Sequence, residues 1–294
     1  MQKLGFVGLG SMGGRIGKRL LDSGYQVSGY NRTQAKTESL IEAGMQWKNS
    51  PREVSEAADI TFSMVTDTAA LTSITDGEDG ILAGLSAGKI YVDMSTVSPK
   101  LIRLLASRIA ATGAQMLEAP VSGSLPAAES GTLILFVGGN EETLERARPV
   151  FQQISQKIIH VGTNGQAIAM KVAINLNLPI QLVSLFEGVL LTERSGVPRD
   201  VALDGLLNSV AASTAMKYRG PFILKMPEEV WFSAAMMKKD IQLALELGEE
   251  TGVELRTAKL VDELLDQAIA SGWGDEDFAV LYRVVEQLSA EKEV

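Results

Sequence analysis

The chain of 294 residues carries 27 Lys and Arg against 36 Asp and Glu, a formal net charge of −9, with no cysteine and a single histidine. That composition excludes disulfides, thiolate metal sites, a cysteine nucleophile and a multi-histidine metal centre, and it disfavours nucleic acid as a partner. The length suits two domains, and Met1 leads straight into an apolar strand-like stretch without an export signal, so a soluble cytoplasmic protein with no metal is expected.

Residues 3–33, KLGFVGLGSMGGRIGKRLLDSGYQVSGYNRT, read as strand, glycine turn, helix, strand. Leu4, Phe6 and Val7 form the first strand, and Met12, Ile16 and Leu20 recur at helical spacing. Gly8, Gly10 and Gly13 occupy the GxGxxG positions, so the loop Gly8-Leu9-Gly10-Ser11-Met12-Gly13 is the expected cradle of a dinucleotide. Gly8 permits the tight turn, Gly10 lets backbone approach a pyrophosphate, and Gly13 lets helix and strand pack closely. The second strand, Tyr25 to Tyr30, ends at Asn31-Arg32-Thr33. An acid that would hold a ribose 2′-hydroxyl is missing there. Three donors suit a 2′-phosphate, so NADP(H) is the expected cofactor.

Residues 34–58 give a helix, a short extended piece near Gln46-Trp47, and a helix opened by Ser50-Pro51. DITFSMVTD is the next strand, and Val65-Thr66 at its carboxyl end are expected to border the cofactor. KIYVDMSTVSP repeats the pattern: Ser95 and Thr96 offer hydroxyls just past the strand, and Ser98 reads as a helix N-cap. Residues 115–139 hold two strands around a loop from Pro120 to Gly131, where Ser122-Gly123-Ser124 is either a plain turn or a cradle for a small carboxylate. A helix from Glu141 to Ser155 and the strand KIIHVG complete the first domain, with His160 expected to be structural.

Residues 164–196, NGQAIAMKVAINLNLPIQLVSLFEGVLLTERSG, are apolar almost all round and form one long helix of about 45 Å. Pro179 predicts a kink in it, not an end. Lys171, Asn175, Asn177, Gln181 and Glu187 interrupt the apolar run and argue against a membrane span. Lys171 and Asn175 share one side of the helix. Everything beyond reads as helix, the last segment being DEDFAVLYRVVEQLSAEKE opened by Asp275 to Asp277. The expected organisation is a dinucleotide-binding α/β Rossmann-type domain over 1–163, joined by the long helix to an all-α domain over 164–294. The apolar content of that second part suggests burial against another subunit, as a homodimer or homotetramer.

A nicotinamide enzyme that reduces a carbonyl needs an acid at the oxygen. With no cysteine and a strand-bound histidine, Lys171 is the candidate, set among apolar neighbours where desolvation eases release of its proton. Asn175 would donate to substrate or hold the ammonium. Lys239-Asp240 reads, taken alone, as a surface ion pair.

GLGSMG, DMSTVSP, EAPVSGSLPAAESGTL, NGQAIAMKVAIN and KKDIQLAL, in this order and spacing, resemble the β-hydroxyacid dehydrogenase family nearly end to end. Within it, NRT after the second strand, PVSGS, and AMK followed by Asn175 resemble the NADPH-dependent glyoxylate/succinic semialdehyde reductases. The resemblance implies that Lys171 is the catalytic lysine and that Ser122, Gly123 and Asn175 bind substrate. It further implies that Thr96, Lys239 and Phe232 meet the cofactor, with Asp240 supporting the site. Pro179 and the stretch FILKMPEEVWFSAAMM depart from the reductase pattern. Lys171 argues against the imine reductases, which share the architecture, and the missing histidine after it argues against the 6-phosphogluconate dehydrogenases. The readings that follow are reduction of a small aldehyde acid, oxidation of 3-hydroxyisobutyrate or a similar hydroxyacid, tartronate semialdehyde reduction, and a non-enzymatic NADP-binding scaffold.

Overall fold

The computed structural model describes residues 2–290. It comprises two compact units, one ending at Lys171 and the other beginning at Val172.

The first unit alternates strand and helix: β1 (Lys3–Val7), α1 (Ser11–Asp22), β2 (Gln26–Tyr30), a 3₁₀ turn (Gln34–Thr37) leading into α2 (Glu38–Glu42), β3 (Gln46–Trp47), α3 (Pro51–Ala57) and β4 (Ile60–Ser63). There follow α4 (Thr68–Thr75), α5 (Ile81–Gly84), β5 (Ile90–Asp93), α6 (Pro99–Ala111), β6 (Gln115–Glu118), β7 (Val121–Ser122), α7 (Leu125–Ser130), β8 (Leu133–Gly139), α8 (Glu141–Ile154) and β9 (Ser155–Gly162). Among the described residues these strands make one sheet in the order β3-β2-β1-β4-β5-β6-β8-β7, with β9 beside β8. β1 to β6 are parallel, β8 runs antiparallel to β6 and β7, and β9 is parallel to β8. The order reverses between β1 and β4, which is where open α/β sheets take ligands, at the strands' carboxyl ends. Strands covered on both faces read as continuous apolar runs, and Leu4, Phe6, Ile60, Phe62, Ile90 and Val92 are all at most 1% exposed. Phe62 stacks on Phe6 with centroids 5.9 Å apart and meets Phe151 of α8 edge-on at 6.2 Å.

The structure corrects the expected loop from Pro120 to Gly131. Val121 and Ser122 pair with Leu135 and Ile134, and α7 follows at once, closed by Gly131 in the left-handed conformation. Pro126 at the start of a helix removes no needed donor, which explains why this Pro-containing stretch reads as loop yet folds as helix.

α9 (Gln166–Arg194) begins in the first unit and runs through Pro179 as one helix. The polar residues do not break its apolarity as expected: an 18-residue stretch averages a hydropathy of 1.5, enough by composition to cross a bilayer. Its Leu182, Leu185, Phe186 and Val189 are instead buried in the core of the second unit.

That unit continues with α10 (Arg199–Leu207), α11 (Thr214–Arg219), a 3₁₀ turn (Gly220–Ile223), α12 (Ala234–Thr251), α13 (Arg256–Ala270), a 3₁₀ turn (Phe278–Val280) and α14 (Leu281–Ala290). The expected final helix thus opens with a 3₁₀ turn capped by Asp277, whose carboxylate accepts from the Ala279 N–H at 3.1 Å. The part of that expected helix beyond Ala290 lies outside the described residues. Asp277 also faces Arg219 (Nη1 to Oδ1, 3.5 Å), and the two are 2% and 3% exposed. The guanidinium stands 4.1 Å from the centroid of the Phe278 ring.

Removing one partner of a buried ion pair strands the other. Arg219→Met should therefore lower unfolding stability by about 3 kcal/mol at neutral pH, measured by urea denaturation. Burial already pushes the Asp277 carboxyl up, against the pull of Arg219 and of the Ala279 and Phe232 amides. Acidification neutralises the stranded group, so the penalty should shrink at low pH.

Candidate functional site

The glycine turn is shaped by lack of room. Gly8 has φ +90°, and a Cβ there would stand 2.3 Å from the Met64 carbonyl oxygen at the end of β4. A Cβ on Gly13 would stand 2.1 Å from the Gly8 oxygen. Gly10 is different: among the described residues nothing lies within 4 Å of a Cβ there, so its glycine leaves space open. Gly10 is also the N-cap of α1, with no side-chain cap among the described residues and no acid in the first turn. The amides and the positive end of the dipole are left for an anion, so this turn fits a dinucleotide pyrophosphate. Met12 packs on the core and Ser11 is exposed, and an open pocket of about 610 Å³ runs along Leu9, Gly10, Ser11, Arg15 and Lys36.

Asn31 takes a role that its sequence position does not suggest. Its Oδ1 accepts from the Leu9 N–H at 3.1 Å and its Nδ2 donates to the Thr33 carbonyl at 2.9 Å. Its carboxamide therefore locks the turn to the end of β2, while Arg32 and Thr33 are exposed. Arg32 has no ion-pair partner among the described residues.

At the ends of β4 and β5 a buried polar chain appears. Ser63 bonds the Tyr91 hydroxyl at 2.6 Å and donates to Asp93 Oδ1 at 2.7 Å; Ser95 donates to the same oxygen at 2.8 Å and accepts from the Val65 N–H at 3.0 Å. Ser95 is thus spent on holding the Val65 segment, which corrects its expected place among the free hydroxyls. Thr96 beside it is half-buried, and Thr66 is exposed, donating to Asp67 Oδ2 at 3.0 Å. Ser98 makes no side-chain cap; its N–H donates to Thr68 Oγ1 at 3.1 Å.

Ser122 ends β7 and Gly123 has φ +127°, where a Cβ would stand 2.9 Å from both Ala127 Cβ and Leu133 Cδ2. His160 on β9 is exposed and bonds the Gly139 carbonyl at 2.9 Å. Lys171 is half-buried on α9, whose first turn is tied to β6: Glu118 Oε1 accepts from the N–H groups of Gly165 and Ala167, each at 2.8 Å.

In the second unit, Asn175 is 2% exposed and its Nδ2 donates to Asp240 Oδ2, while Lys239 pairs with Asp240 Oδ1 at 2.8 Å. Asp240 is fully buried, so this is no surface ion pair: one carboxylate joins α9 to α12. Phe232 lies edge-on to Phe278 with centroids 6.3 Å apart, and its N–H donates to Asp277 at 3.2 Å. Glu118, Asp93 and Asp277 carry little local mark in the sequence of the segments they hold. The only signal was an acid at the end of an apolar strand or ahead of a short turn.

Residues 3–162 match the family described as the NAD-binding domain of 6-phosphogluconate dehydrogenase, and residues 165–285 the NAD-binding domain of NADP-dependent 3-hydroxyisobutyrate dehydrogenase. The chain is 34% identical over 289 residues to the chloroplastic glyoxylate/succinic semialdehyde reductase 2 of Arabidopsis thaliana, covering 98% of this chain and 80% of that one. Among solved structures it is similar to the 3-hydroxyisobutyrate dehydrogenase of Mycobacterium tuberculosis with L-serine (TM-score 0.86, 27% identity, 97% and 99% of the two chains). It is equally similar to Psf3 in complex with NADP+ and 2-OPP (TM-score 0.86, 26% identity, 96% and 99%). With the glycine turn, the sheet order and the helix carrying Lys171 in place, the chain belongs to the β-hydroxyacid dehydrogenase family of NAD(P)-binding oxidoreductases.

Proposed function

We propose that the protein reduces the aldehyde of a small carboxylate-bearing substrate, glyoxylate or succinic semialdehyde, at the expense of NADPH. The observation that carries this reading is Lys171, the half-buried ammonium on α9, in the same compact unit as a glycine turn shaped for a dinucleotide. When bound, the cofactor supplies the hydride. The α1 amides and the open face of Gly10 hold its pyrophosphate. Arg32 and Thr33 take the 2′-phosphate, since the second strand ends without an acid and Asn31 is committed to the turn. Lys171 protonates the carbonyl oxygen as charge develops there. Ser122 and the amides around Gly123 hold the substrate carboxylate. Asn175, one turn along α9 and oriented by Asp240, is the further substrate donor. The substrate class is supported by the likeness to the Arabidopsis reductase. The mycobacterial relative favours a second reading, oxidation of 3-hydroxyisobutyrate with Lys171 as base, which uses the same groups in reverse. We also propose a cytoplasmic homodimer or homotetramer with no nucleic-acid or membrane partner, on the strength of the net charge and of exposed Leu191, Val201 and Leu260.

Oxidation of NADPH against glyoxylate, succinic semialdehyde, methylmalonate semialdehyde and tartronate semialdehyde tests the substrate. Turnover confined to NADP+ with hydroxyacids would favour the second reading. Lys171→Met keeps the aliphatic stem and removes the acid, so turnover should fall by about 10²- to 10⁴-fold with NADPH affinity nearly unchanged. Wild-type carbonyl reduction should also slow on the alkaline side as the ammonium is lost. Near wild-type turnover in Lys171→Met would move the proton donor elsewhere. Arg32→Asp should weaken NADPH binding by about tenfold or more and improve NADH. A wild-type enzyme that prefers NADH would refute the assignment of Arg32.

A further inference from the structure

Neither the cofactor turn nor proton donation accounts for one of the buried carboxylates of the sheet. Glu118, the last residue of β6, is 1% exposed, and its Oε1 accepts from the Gly165 and Ala167 N–H groups, each at 2.8 Å. The opening amides of a helix have no acceptor within it. Part of the start of α9 is closed locally: Gln166 Oε1 accepts from the Thr163 N–H at 2.8 Å, and the Gln166 N–H donates to the Thr163 carbonyl at 3.1 Å. Glu118 supplies the acceptor that comes from the sheet.

The fit around that carboxylate leaves little slack. On β8, a Cβ at Gly138 would stand 2.3 Å from Glu118 Oε1. Gly165 has φ +100°, and a Cβ there would stand 2.8 Å from Cγ of Arg103 on α6. Ala167, whose amide Glu118 holds, lies one helical turn before Lys171 and on its side of α9. A displacement of the first turn therefore carries Lys171 with it. In a proton transfer an error of about 1 Å costs on the order of 10²-fold in rate.

We propose that Glu118 is a positioning residue: it docks the first turn of α9 on the end of β6 and so sets where Lys171 stands. The proposal rests on the reading of Lys171 as proton donor. It is the acceptor oxygen that positions, since a protonated carboxyl keeps its carbonyl oxygen. Both forms matter near neutrality. Burial pushes the Glu118 carboxyl up to about 7, against the Ala167, Gly165 and Ile168 amides and with the help of Asp93, its register partner on β5. Oε2 has no hydrogen-bond partner among the described residues, so a neutral amide can replace the acid there.

Three variants test this, each assayed at about 15 °C with folding checked by circular dichroism and melting. Glu118→Gln keeps the acceptor and should hold kcat within about threefold. Glu118→Met keeps the volume and removes both oxygens. Its kcat should fall at least about tenfold, with KM and NADPH Kd within about threefold, because the helix is misplaced while the glycine turn is untouched. Glu118→Ala, which leaves room for a water on the amides, should fall between the two and serves if the methionine variant does not fold. A lower Tm with unchanged kcat in Glu118→Met or Glu118→Ala would make Glu118 a merely structural cap and overturn the proposal. So would a Glu118→Gln enzyme as slow as Glu118→Met. Lys171→Met run in parallel separates the failures: if it is inactive while Glu118→Met is fully active, only the positioning role falls, and if it is active, the donor reading falls. The sign of the pH effect is fixed. A carboxyl raised from about 4.5 to about 7 contributes stability that is complete below about 4.5 and lost as pH rises through 7. Wild-type Tm should therefore drop more between pH 5 and pH 8.5 than that of Glu118→Gln, and equal drops would remove Glu118 from its buried contact.

Discussion

Where β1 ends there is no space for a side chain, and the cofactor half of the molecule is arranged around that shortage. Gly8 must turn in the left-handed region under the Met64 carbonyl, and Gly13 must lie against the Gly8 oxygen, before α1 can start where it does. This brings the helix N-terminus to the point where the strand order reverses. The same closeness sets what lies opposite. Gly8 donates to the Tyr30 carbonyl and Leu9 to Asn31, so two bonds hang the turn on the end of β2, beside the packing of the buried Leu9 side chain. A carboxylate at position 31 could accept from Leu9 but could not donate to Thr33. The carboxamide closes the turn and keeps negative charge away from the exposed guanidinium that follows.

Four acids, Asp93, Glu118, Asp240 and Asp277, are each at most 2% exposed. Burying a carboxylate is costly unless it is bonded or paired, and here each one joins segments distant in sequence. Asp93 reaches the Val65 amide through Ser95, Glu118 holds the start of α9, Asp240 joins Asn175 to Lys239, and Asp277 grips Phe232 while facing Arg219. In every case the held segment carries a residue that is expected or proposed to meet cofactor or substrate. Apolar packing could fill the same volume but would not fix a loop amide to a direction. Hydrogen bonds to a charged or raised carboxyl do.

The sequence announced the elements whose signal is local. Glycines at GxGxxG between strand and helix, Ser50-Pro51 before α3, and the long apolar run of α9 each state their conformation within a few residues, and the structure has all three. What it concealed depends on partners far along the chain. Glu118 looks like the end of a strand until Gly165, 47 positions away, comes to it. Lys239-Asp240 looks like a surface pair until α9 covers it, and the Ser95 hydroxyl looks free until Val65, its neighbour in space only, comes to it. α7 was hidden for a different reason: Pro126 and flanking glycines mark a loop by composition, although proline is at home in a first helical turn.

α9 shows how hydropathy and function come to share one helix. Its apolar character reflects burial, with Ala167, Ile168 and Val172 near its start at most 1% exposed and Leu182, Phe186 and Val189 along the second unit at most 1% as well. A helix so surrounded has few positions where a polar side chain is cheap. Asn177 and Glu187 are exposed and need no explanation. Asn175 is not exposed, and Asp240 accepts from its amide. Lys171 is half-buried one turn earlier, at the last residue of the first compact unit. Its place on this stripe, one turn beyond the Ala167 amide that Glu118 accepts from, ties the proposed proton donor to the end of β6 through the backbone of a single helix.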